Sequence, residues 1–124
     1  MKIWLLVFAG GGLGSMARYA VGRAVATFYQ GSLPWATATA NVMACLLLGI
    51  VIGMADQRQL ISPMGRLFWA VGFCGGFSTF STFSSETITL LGQGSIAGSL
   101  LYVAGSVVFC LLATWAGLAI GKMI

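Results

Sequence analysis

The residues with the most chemical potential lie in one run at positions 72–83, Gly-Phe-Cys-Gly-Gly-Phe-Ser-Thr-Phe-Ser-Thr-Phe. The adjacent glycines at its centre favour a departure from the helix, because glycine is conformationally permissive and weakens helices. Hydroxyl groups follow the glycines and alternate with phenylalanine rings; they belong to Ser78, Thr79, Ser81 and Thr82. Hydroxyls donate hydrogen bonds, and the edges of aromatic rings carry partial positive charge. Together they can coordinate a small anion without a fixed cation.

The surroundings of this run are apolar enough to cross a membrane. Of the 124 residues, 59% are hydrophobic and only 6% are charged, whereas soluble domains average about 25% charged residues. Four apolar stretches, at roughly 3–28, 34–55, 66–91 and 95–121, each reach the roughly 20 residues that a transmembrane helix needs. The sequence therefore predicts an all-α, multi-pass membrane protein with one four-helix transmembrane domain over residues 1–124 and no soluble domain.

The third helix is predicted to break at Gly75–Ser78. Lipid offers no hydrogen-bond partners to irregular backbone, so such backbone is tolerated only when it is buried in protein or lines a wet cavity. The break therefore indicates a site rather than filler. Carbonyl groups released from an unwound helix can bind a small cation such as sodium, and two antiparallel copies that meet at the break would offer more oxygens than one copy.

The charge distribution gives only a weak signal for orientation in the membrane. Four spans place both termini and the 56–66 loop on one side. Four of the six Lys and Arg residues lie on that side and two on the other; the two groups are Lys2, Arg58, Arg66 and Lys122 against Arg18 and Arg23. Because basic residues set topology, so small a bias allows insertion in both orientations. An antiparallel dimer is a natural product of such insertion, and a single four-helix chain can hardly enclose a pore alone.

Small residues at four-residue spacing indicate close helix packing. The first helix carries Gly10 and Gly14, and the second carries Gly49 and Gly53. Such spacing lets helix backbones approach each other closely in lipid. The sequence leaves open whether this packing lies within one chain or between chains, and the fourth helix shows no comparably regular face.

Asn41 and a stripe on the fourth helix bring further polar groups into the membrane. Asn41 follows Thr37 by four residues and shares its face, so it either bonds two helices together or offers a donor to a pathway. In the fourth helix, four polar residues recur every four positions and form one face: Tyr102, Ser106, Cys110 and Thr114. Single serines in membrane helices often bond to their own backbone, but a full stripe favours the lining of a pathway.

Arg18 and Glu86 are the charged residues nearest the membrane interior. Arg18 either anchors the first helix at the interface or attracts anions into a vestibule. Glu86 is an interfacial cap, a partner for a basic group or a residue beside a gate. Glu86 and Asp56 are the two acidic residues of the chain, which leaves Glu86 as the candidate for a proton carrier in the membrane.

Several functional classes are excluded by residues that the chain lacks. It contains no histidine, and the cysteines Cys45, Cys74 and Cys110 have no metal-site spacing, so we interpret them as small apolar fillers. No nucleophile–base pair suggests an enzyme. Six scattered basic residues make no patch for nucleic acid, and no phosphate-binding loop suggests a nucleotide.

These residues together resemble the Fluc/CrcB family of fluoride channels. The resemblance covers the whole chain and rests on Gly-Gly-Gly-Leu-Gly-Ser-Met-Ala-Arg-Tyr at 10–19, on Asn41, and on the run at 72–83. The third motif, joined to four short spans, is the most specific of these signals. The resemblance implies an antiparallel, dual-topology homodimer with two pores in the bacterial inner membrane. It also implies passive export of fluoride, which relieves fluoride toxicity.

The resemblance also implies roles for individual residues. Phe80 and Phe83 match the pore-lining phenylalanines of the family, and Asn41 matches its pore asparagine. The polar track of the family corresponds here to Ser81, Thr82, Tyr102 and Ser106, and Cys110 stands where some members carry another hydroxyl.

A structural sodium ion at the dimer centre is implied as well. The backbone carbonyls of Gly75 and Ser78 match the positions that hold it. Ser78 stands where some members carry threonine, but only its backbone oxygen matters for this role.

Two other functions compete with this interpretation. Small proton-coupled multidrug exporters are also four-span, dual-topology dimers, but they need an acidic residue in the first helix, and this first helix has none. An assembly factor without transport activity is the second alternative. A Phe80→Ile variant separates a channel, which would lose flux as a folded dimer, from a scaffold, which would not change.

Overall fold

The computed structural model describes residues 1–58 and 60–124, and that part of the chain contains helices and no strands. Helix α1 spans Lys2–Phe28 and α2 spans Trp35–Arg58. The helical segment at 63–77, here α3, joins three pieces: Pro63–Arg66, a π-helical stretch at Leu67–Cys74, and Gly75–Phe77. Helix α4 spans Phe80–Gly92 and α5 spans Ile96–Met123. Because α3 and α4 follow each other across a short break, the chain has the four helical segments that the sequence predicts.

Local signals explain where the helices begin and end. Ser62 accepts a hydrogen bond from the backbone N–H of Gly65 at 3.1 Å, and Pro63 occupies the first turn of α3, where its missing N–H costs nothing. Thr79 caps α4 in the same way. Between α4 and α5 the turn contains Gly94 at φ 77°, a left-handed conformation that glycine adopts without strain.

Two pairs of helices, α2 with α5 and α1 with α3, run parallel and touch each other along glycines. A Cβ atom added to Gly49 would lie 3.0 Å from the Cα of Gly117, and one added to Gly53 would lie 3.0 Å from the Cα of Gly121. Residue numbers rise together along this contact, so α2 and α5 are parallel. The glycines that the sequence predicts to pack helices therefore pack within one chain. The sequence pattern predicts no regular small-residue face on the fourth helix, which is α5 here. That expectation is wrong, because Gly117 and Gly121 of α5 form such a face against α2.

The contact between α1 and α3 follows the same plan. A Cβ atom on Gly10 would lie 2.5 Å from the carbonyl oxygen of Phe68, and one on Gly14 would collide with the carbonyl of Phe73. Gly76 sits equally close to the backbone of Gly11. By contrast, α2 and α4 are antiparallel, because residue numbers rise on α2 from Thr37 to Asn41 while those of their partners fall from Glu86 to Thr79.

The break between α3 and α4 lies at Ser78 and Thr79 rather than over Gly75–Ser78. Gly75 is helical, with φ −64° and ψ −37°, and the helix continues to Phe77. The chain leaves the helix at Ser78, with ψ 159°, and at Thr79, with ψ 117°. The prediction of a break over Gly75–Ser78 is therefore correct for Ser78 alone. Gly76 serves close approach to Gly11 on α1 instead, and the side chain of Asn41 supports the break.

Two of the helices in the described residues are long and apolar enough to span a membrane. They are α2 over Trp35–Asp56 and α5 over Ile96–Met123. A core helix of a soluble protein would be mostly buried, but only 28% of the most apolar window of α2 and 17% of that of α5 are buried. Large apolar side chains therefore cover the outer surface, which indicates a membrane protein. Helix α1 is not one of these two helices because its glycines and Arg18 make it less apolar. Helices α3 and α4 are not among them because the break makes each of them short.

Candidate functional site

Asn41 of α2 holds the break in the third segment. Its side-chain oxygen accepts a hydrogen bond from the backbone N–H of Thr79 at 2.7 Å, and its amide nitrogen donates to the carbonyl of Thr79 at 3.2 Å. An amide has one acceptor and two donor hydrogens that can mimic a backbone partner in this way. Of the two interpretations of Asn41, the bond between helices is present, and within the described residues the second N–H of the amide has no acceptor.

Thr79 directs the backbone around the break. Its hydroxyl accepts a hydrogen bond from the backbone N–H of Thr82 at 3.2 Å and donates to the hydroxyl of Thr82 at 3.0 Å. It also lies 3.3 Å from the hydroxyl of Ser81. The three hydroxyls of this segment therefore form one connected cluster at the start of α4, and the side chains of Ser81 and Thr82 are exposed on the single chain.

The same hydrogen bonds take away the N–H donors that two backbone carbonyl groups would have in a continuous helix. In a continuous helix the N–H of Thr79 would bond to the carbonyl of Gly75, and that of Thr82 to the carbonyl of Ser78. Asn41 takes the first of these donors, and the hydroxyl of Thr79 takes the second. The two carbonyls that the sequence suggests as cation ligands therefore each lose their helical donor at the break.

Glu86 joins three elements through its two carboxyl oxygens. The hydroxyl of Thr37 on α2 donates to one oxygen at 2.8 Å, and the hydroxyl of Tyr102 on α5 donates to the other at 2.7 Å. Glu86 is half-buried, and Tyr102 is only 7% exposed. A carboxyl group away from water is costly unless it is hydrogen-bonded, so the two donors explain why it is tolerated here. Among the described residues it has no basic partner.

An aromatic path leads from the break to this carboxyl group. The rings of Phe80 and Phe83 lie 5.6 Å apart, and those of Phe83 and Tyr102 lie 5.1 Å apart. Both pairs are tilted, at 40° and 44°, so ring edges and faces meet. Phe83 is half-buried, but Phe80 is 78% exposed on the single chain. The outer end of this path is therefore open on one side.

Ser106 is the polar group of this region that lacks a partner. Its hydroxyl oxygen is buried and makes no hydrogen bond within the part of the chain that the structure describes. It lines a groove of about 610 Å³ between α2 and α5, next to Tyr102, Thr39 and Phe109. A buried hydroxyl without a partner is unfavourable, which makes Ser106 a candidate donor of the site.

The two remaining residues of the stripe on α5, Cys110 and Thr114, have different surroundings. Thr114 donates to the carbonyl of Cys110 at 2.9 Å, which is the local backbone bond typical of membrane helices. Cys110 is a free, half-buried cysteine, and it lies one turn before Thr114, whose carbonyl is close to Gly49 on α2. Beyond Ser106, Thr114 therefore bonds to its own helix.

No hydrogen bond or ion pair between described residues joins Arg18 to this cluster. Arg18 is half-buried on α1, and the ion pair within the described residues joins Arg66 to Asp56 at 3.7 Å instead. The site residues that the structure brings together are thus Asn41, Phe80, Phe83, Glu86 and Tyr102, with Ser106 one turn beyond; Ser81 and Thr82 join them through Thr79.

Sequence reasoning gave too little weight to Thr37 and Thr79. Both occur in segments that the sequence marks as polar, but neither was assigned to the site. Thr37 lies four residues before Asn41, on the same face, which is the signal that could have found it. Thr79 precedes an apolar-polar helical run and stands three residues before Thr82, the spacing of a helix cap.

The arrangement offers hydrogen-bond donors without a fixed positive charge. The hydroxyls of Thr37 and Tyr102 converge on Glu86, and Ser106 lines the groove between α2 and α5. Uncharged donors of this kind bind an anion more weakly than a fixed cation does. The arrangement contains no nucleophile activated by a base.

Comparison with known proteins identifies relatives over almost the full length of the chain. Residues 5–118 match the family model described as CrcB-like protein, Camphor Resistance (CrcB). A protein of Flavobacterium psychrophilum named fluoride-specific ion channel is 40% identical over 122 residues, which cover 98% of each chain. Proteins with the same name from Nitrobacter winogradskyi and Geobacter sulfurreducens are 42% and 38% identical, over 97% and 100% of this chain and 95% and 100% of their own.

These relatives are named as ion channels rather than as enzymes, in agreement with the absence of a catalytic pair. The resemblance inferred from the motifs at 10–19 and 72–83 is confirmed by the match of the family model over most of the chain. The chain belongs to the CrcB-like family.

Proposed function

We propose that this protein is a fluoride-selective ion channel in the bacterial inner membrane. The observation that carries the proposal is identity of about 40% over nearly the whole chain with proteins named fluoride-specific ion channel. The channel would export fluoride passively and so reduce its toxicity. No energy source is encoded, so the fluoride gradient and the membrane potential would drive the flow.

The chemistry of the candidate site supports fluoride as the permeant ion. Fluoride is small and accepts strong hydrogen bonds, so hydroxyl and amide donors can replace its water. Chloride is larger and a weaker acceptor, so a narrow path lined by donors would disfavour it. Because no fixed cation lies in the path, binding stays weak enough for the ion to leave again.

The proposed route passes the groups in order of their position. Arg18 makes the vestibule electropositive, and Asn41 offers its free N–H to the incoming ion. Phe80 and Phe83 present their ring edges, and the ion then reaches the hydroxyls of Tyr102 and Ser106. Ser81 and Thr82 supply further hydroxyls at the start of α4. The unpartnered hydroxyl of Ser106 is the strongest support for this exit.

Glu86 would regulate the donors of this route. In the observed arrangement the hydroxyls of Thr37 and Tyr102 both donate to Glu86. A passing anion must therefore take a donor from the carboxyl group, and Glu86 recovers it when the anion leaves. This exchange would keep the anion from binding tightly at any one position along the route.

The channel would function as an antiparallel homodimer with two pores. Phe80 is 78% exposed on the single chain, and the groove beside Ser106 is open on one side. A path that is open to lipid cannot conduct an ion, because lipid gives no partners to a charge. A second copy is the proposed wall, and the weak bias of Lys and Arg supports an inverted orientation for it.

A structural sodium ion at the centre of this dimer fits the donor set. The carbonyls of Gly75 and Ser78 each lose a helical donor at the break, so each has an oxygen free for a cation. One chain offers two such oxygens, and two antiparallel copies would offer four. The ion would neutralise the carbonyl dipoles at the dimer centre; the conduction steps themselves involve only side chains and the passing anion.

Fluoride efflux from liposomes, followed with a fluoride electrode, tests the proposal. We expect rapid fluoride efflux from vesicles containing the protein and no comparable chloride efflux. The Phe80→Ile variant should lose most of the flux and remain dimeric in gel filtration. Phe28→Ile serves as the matched control, because Phe28 is also exposed but lies at the end of α1. No fluoride flux, or equal flux of chloride, would overturn the proposal.

The multidrug exporter and the assembly factor receive no support from the structure. Helix α1 carries no acidic residue, and the relatives described above are named as fluoride channels. Uptake of an organic cation driven by a proton gradient, measured in the same liposomes, would restore the exporter hypothesis. Normal growth in fluoride of cells that carry only Phe80→Ile would favour the scaffold.

A further inference from the structure

Two cysteines lie at the far end of the polar stripe. Cys110 is on α5, one turn before Thr114, and Cys45 is on α2, one turn before Gly49. Both side chains are half-buried, and both cysteines are free. The third cysteine, Cys74, is buried at 3% exposure on α3. The sequence alone suggests three unrelated fillers, but the fold pairs two of them.

Backbone contacts place the two cysteines at the same level. Gly49 lies one turn after Cys45, and Thr114 lies one turn after Cys110. A Cβ atom on Gly49 would collide with the carbonyl oxygen of Thr114, and α2 and α5 run parallel. One turn earlier, the two short thiol side chains therefore face each other across a close helix contact.

We propose that Cys45 and Cys110 form a two-thiolate binding site for a soft, two-coordinate metal ion of the Hg²⁺, Ag⁺ and Cu⁺ class. Thiolate ligands select soft metals. Zinc would need about four ligands, and no cluster of three or more His, Cys, Asp or Glu side chains suited to a metal occurs in the part of the chain that the structure describes. A pair of thiols therefore matches metals that prefer two sulfur ligands in a line.

The binding step is an exchange of protons for metal. With Hg²⁺, the two S–H bonds break, two Hg–S bonds form, and two protons leave to the solution. No electron is transferred, so no oxidant or reductant is needed. Because the thiols must be deprotonated, the affinity rises with pH.

A consequence for transport rests on the proposed function. Cys110 follows Ser106 by one turn on the polar stripe, and Ser106 has no partner of its own. A metal that ties Cys45 to Cys110 clamps α2 to α5 next to this hydroxyl without adding positive charge, because two protons leave as Hg²⁺ binds. The clamp would obstruct a passing anion, so the metal would inhibit fluoride efflux.

Mercury titration of the purified full-length protein tests the site without any transport measurement. We expect one Hg²⁺ per chain to give the ultraviolet charge-transfer band of a mercury dithiolate and to remove two of the three reactive thiols. Cys74→Ser should behave like the unmodified chain. Cys45→Ser and Cys110→Ser should each lose the chelate, so that competing glutathione removes the metal at concentrations on the order of 100-fold lower.

The outcomes separate the site from the proposed function. Equal retention of Hg²⁺ in Cys110→Ser, loss of the chelate in Cys74→Ser, or one metal ion shared between two chains would each overturn the site. If the chelate forms but efflux in the liposome assay is insensitive to Hg²⁺, the inhibitory consequence is wrong and the site stands. Cys110→Ser, which restores a hydroxyl at that position, should conduct fluoride and resist inhibition.

Discussion

At the scale of single residues, Asn41 replaces backbone partners that the break removes. Its amide exchanges two hydrogen bonds with Thr79, at 2.7 and 3.2 Å. An amide carries a donor and an acceptor side by side, so it can bond the N–H and the carbonyl of one residue at the same time. The break is therefore specified from another helix rather than by the residues that form it.

We predict that Asn41→Asp destabilises the protein and reduces fluoride efflux. The aspartate keeps the acceptor for the N–H of Thr79 but turns an oxygen toward the carbonyl of Thr79, which leaves a half-buried acceptor unsatisfied. Such a loss costs about 1–3 kcal/mol, to be measured as a lower thermal midpoint in detergent. Gln30→Glu makes the same chemical change at an exposed position and should leave the midpoint unchanged. Equal midpoints for Asn41→Asp and the parent chain would contradict the bond.

We predict that Tyr102→Phe lowers efflux more than it lowers stability. The change removes the hydroxyl that donates to Glu86 at 2.7 Å and keeps the ring that packs against Phe83. One hydrogen bond contributes about 1 kcal/mol to the free energy of unfolding, whereas the proposed path loses a donor entirely. Tyr19→Phe, at an exposed position on α1, is the control. Full efflux from Tyr102→Phe liposomes would remove the hydroxyl from the proposed path.

At the scale of helices, two glycine contacts hold alternate segments together. Gly49 and Gly53 meet Gly117 and Gly121 between α2 and α5, and Gly14 meets the backbone of α3. Lipid gives no hydrophobic drive for helices to associate, so close backbone contact and van der Waals packing hold them together. These contacts fix the depth at which Asn41, Tyr102 and the break come together.

We predict opposite effects of two alanine substitutions in the same helix. A Cβ atom on Gly14 would collide with the carbonyl of Phe73, whereas one on Gly12 would meet nothing within 4 Å. Gly14→Ala must push α1 away from α3 and should cost about 1–3 kcal/mol. Gly12→Ala should be neutral or gain up to about 1 kcal/mol, because alanine favours the helix. Thermal unfolding measures both, and equal effects would refute the contact.

At the scale of the whole molecule, the single chain leaves an apolar surface and an incomplete path. Phe80 and much of α5 are exposed, which suits a chain whose remaining walls are lipid and a second copy. The small difference in Lys and Arg between the two sides, four against two, is the sequence feature that favours an inverted partner.

We predict that the chain inserts in both orientations. In a background with Cys45, Cys74 and Cys110 replaced by alanine, a single Gln30→Cys substitution marks the 29–34 connection. A maleimide that cannot cross the membrane should label about half of the chains in intact cells. Adding two lysines to this connection should shift labelling strongly to one side, because basic residues are retained inside. Labelling of nearly all or no chains before that change would contradict dual topology.

The hydrophobic pattern was sufficient to predict the class of fold and the four helical segments, because helix formation satisfies the backbone wherever lipid surrounds it. It could not locate the break correctly. Gly75 and Gly76 favour unwinding locally, yet Gly76 stays helical against Gly11 on another segment. The close contact between Gly76 and Gly11 outweighs the local tendency of the glycines to unwind the helix, and the sequence pattern does not reveal that contact.

The sequence by itself determined that the chain belongs in a membrane, that polar groups cross it at 72–83 and along α5, and which family it resembles. These follow from composition and from residues adjacent in the chain. Only the tertiary structure decided that Asn41 holds Thr79, that Glu86 gathers Thr37 and Tyr102, and that Cys45 and Cys110 lie at one level of the α2–α5 contact. Such partners lie many residues apart, and hydrogen bonds depend on distance and angle, which helix packing alone sets.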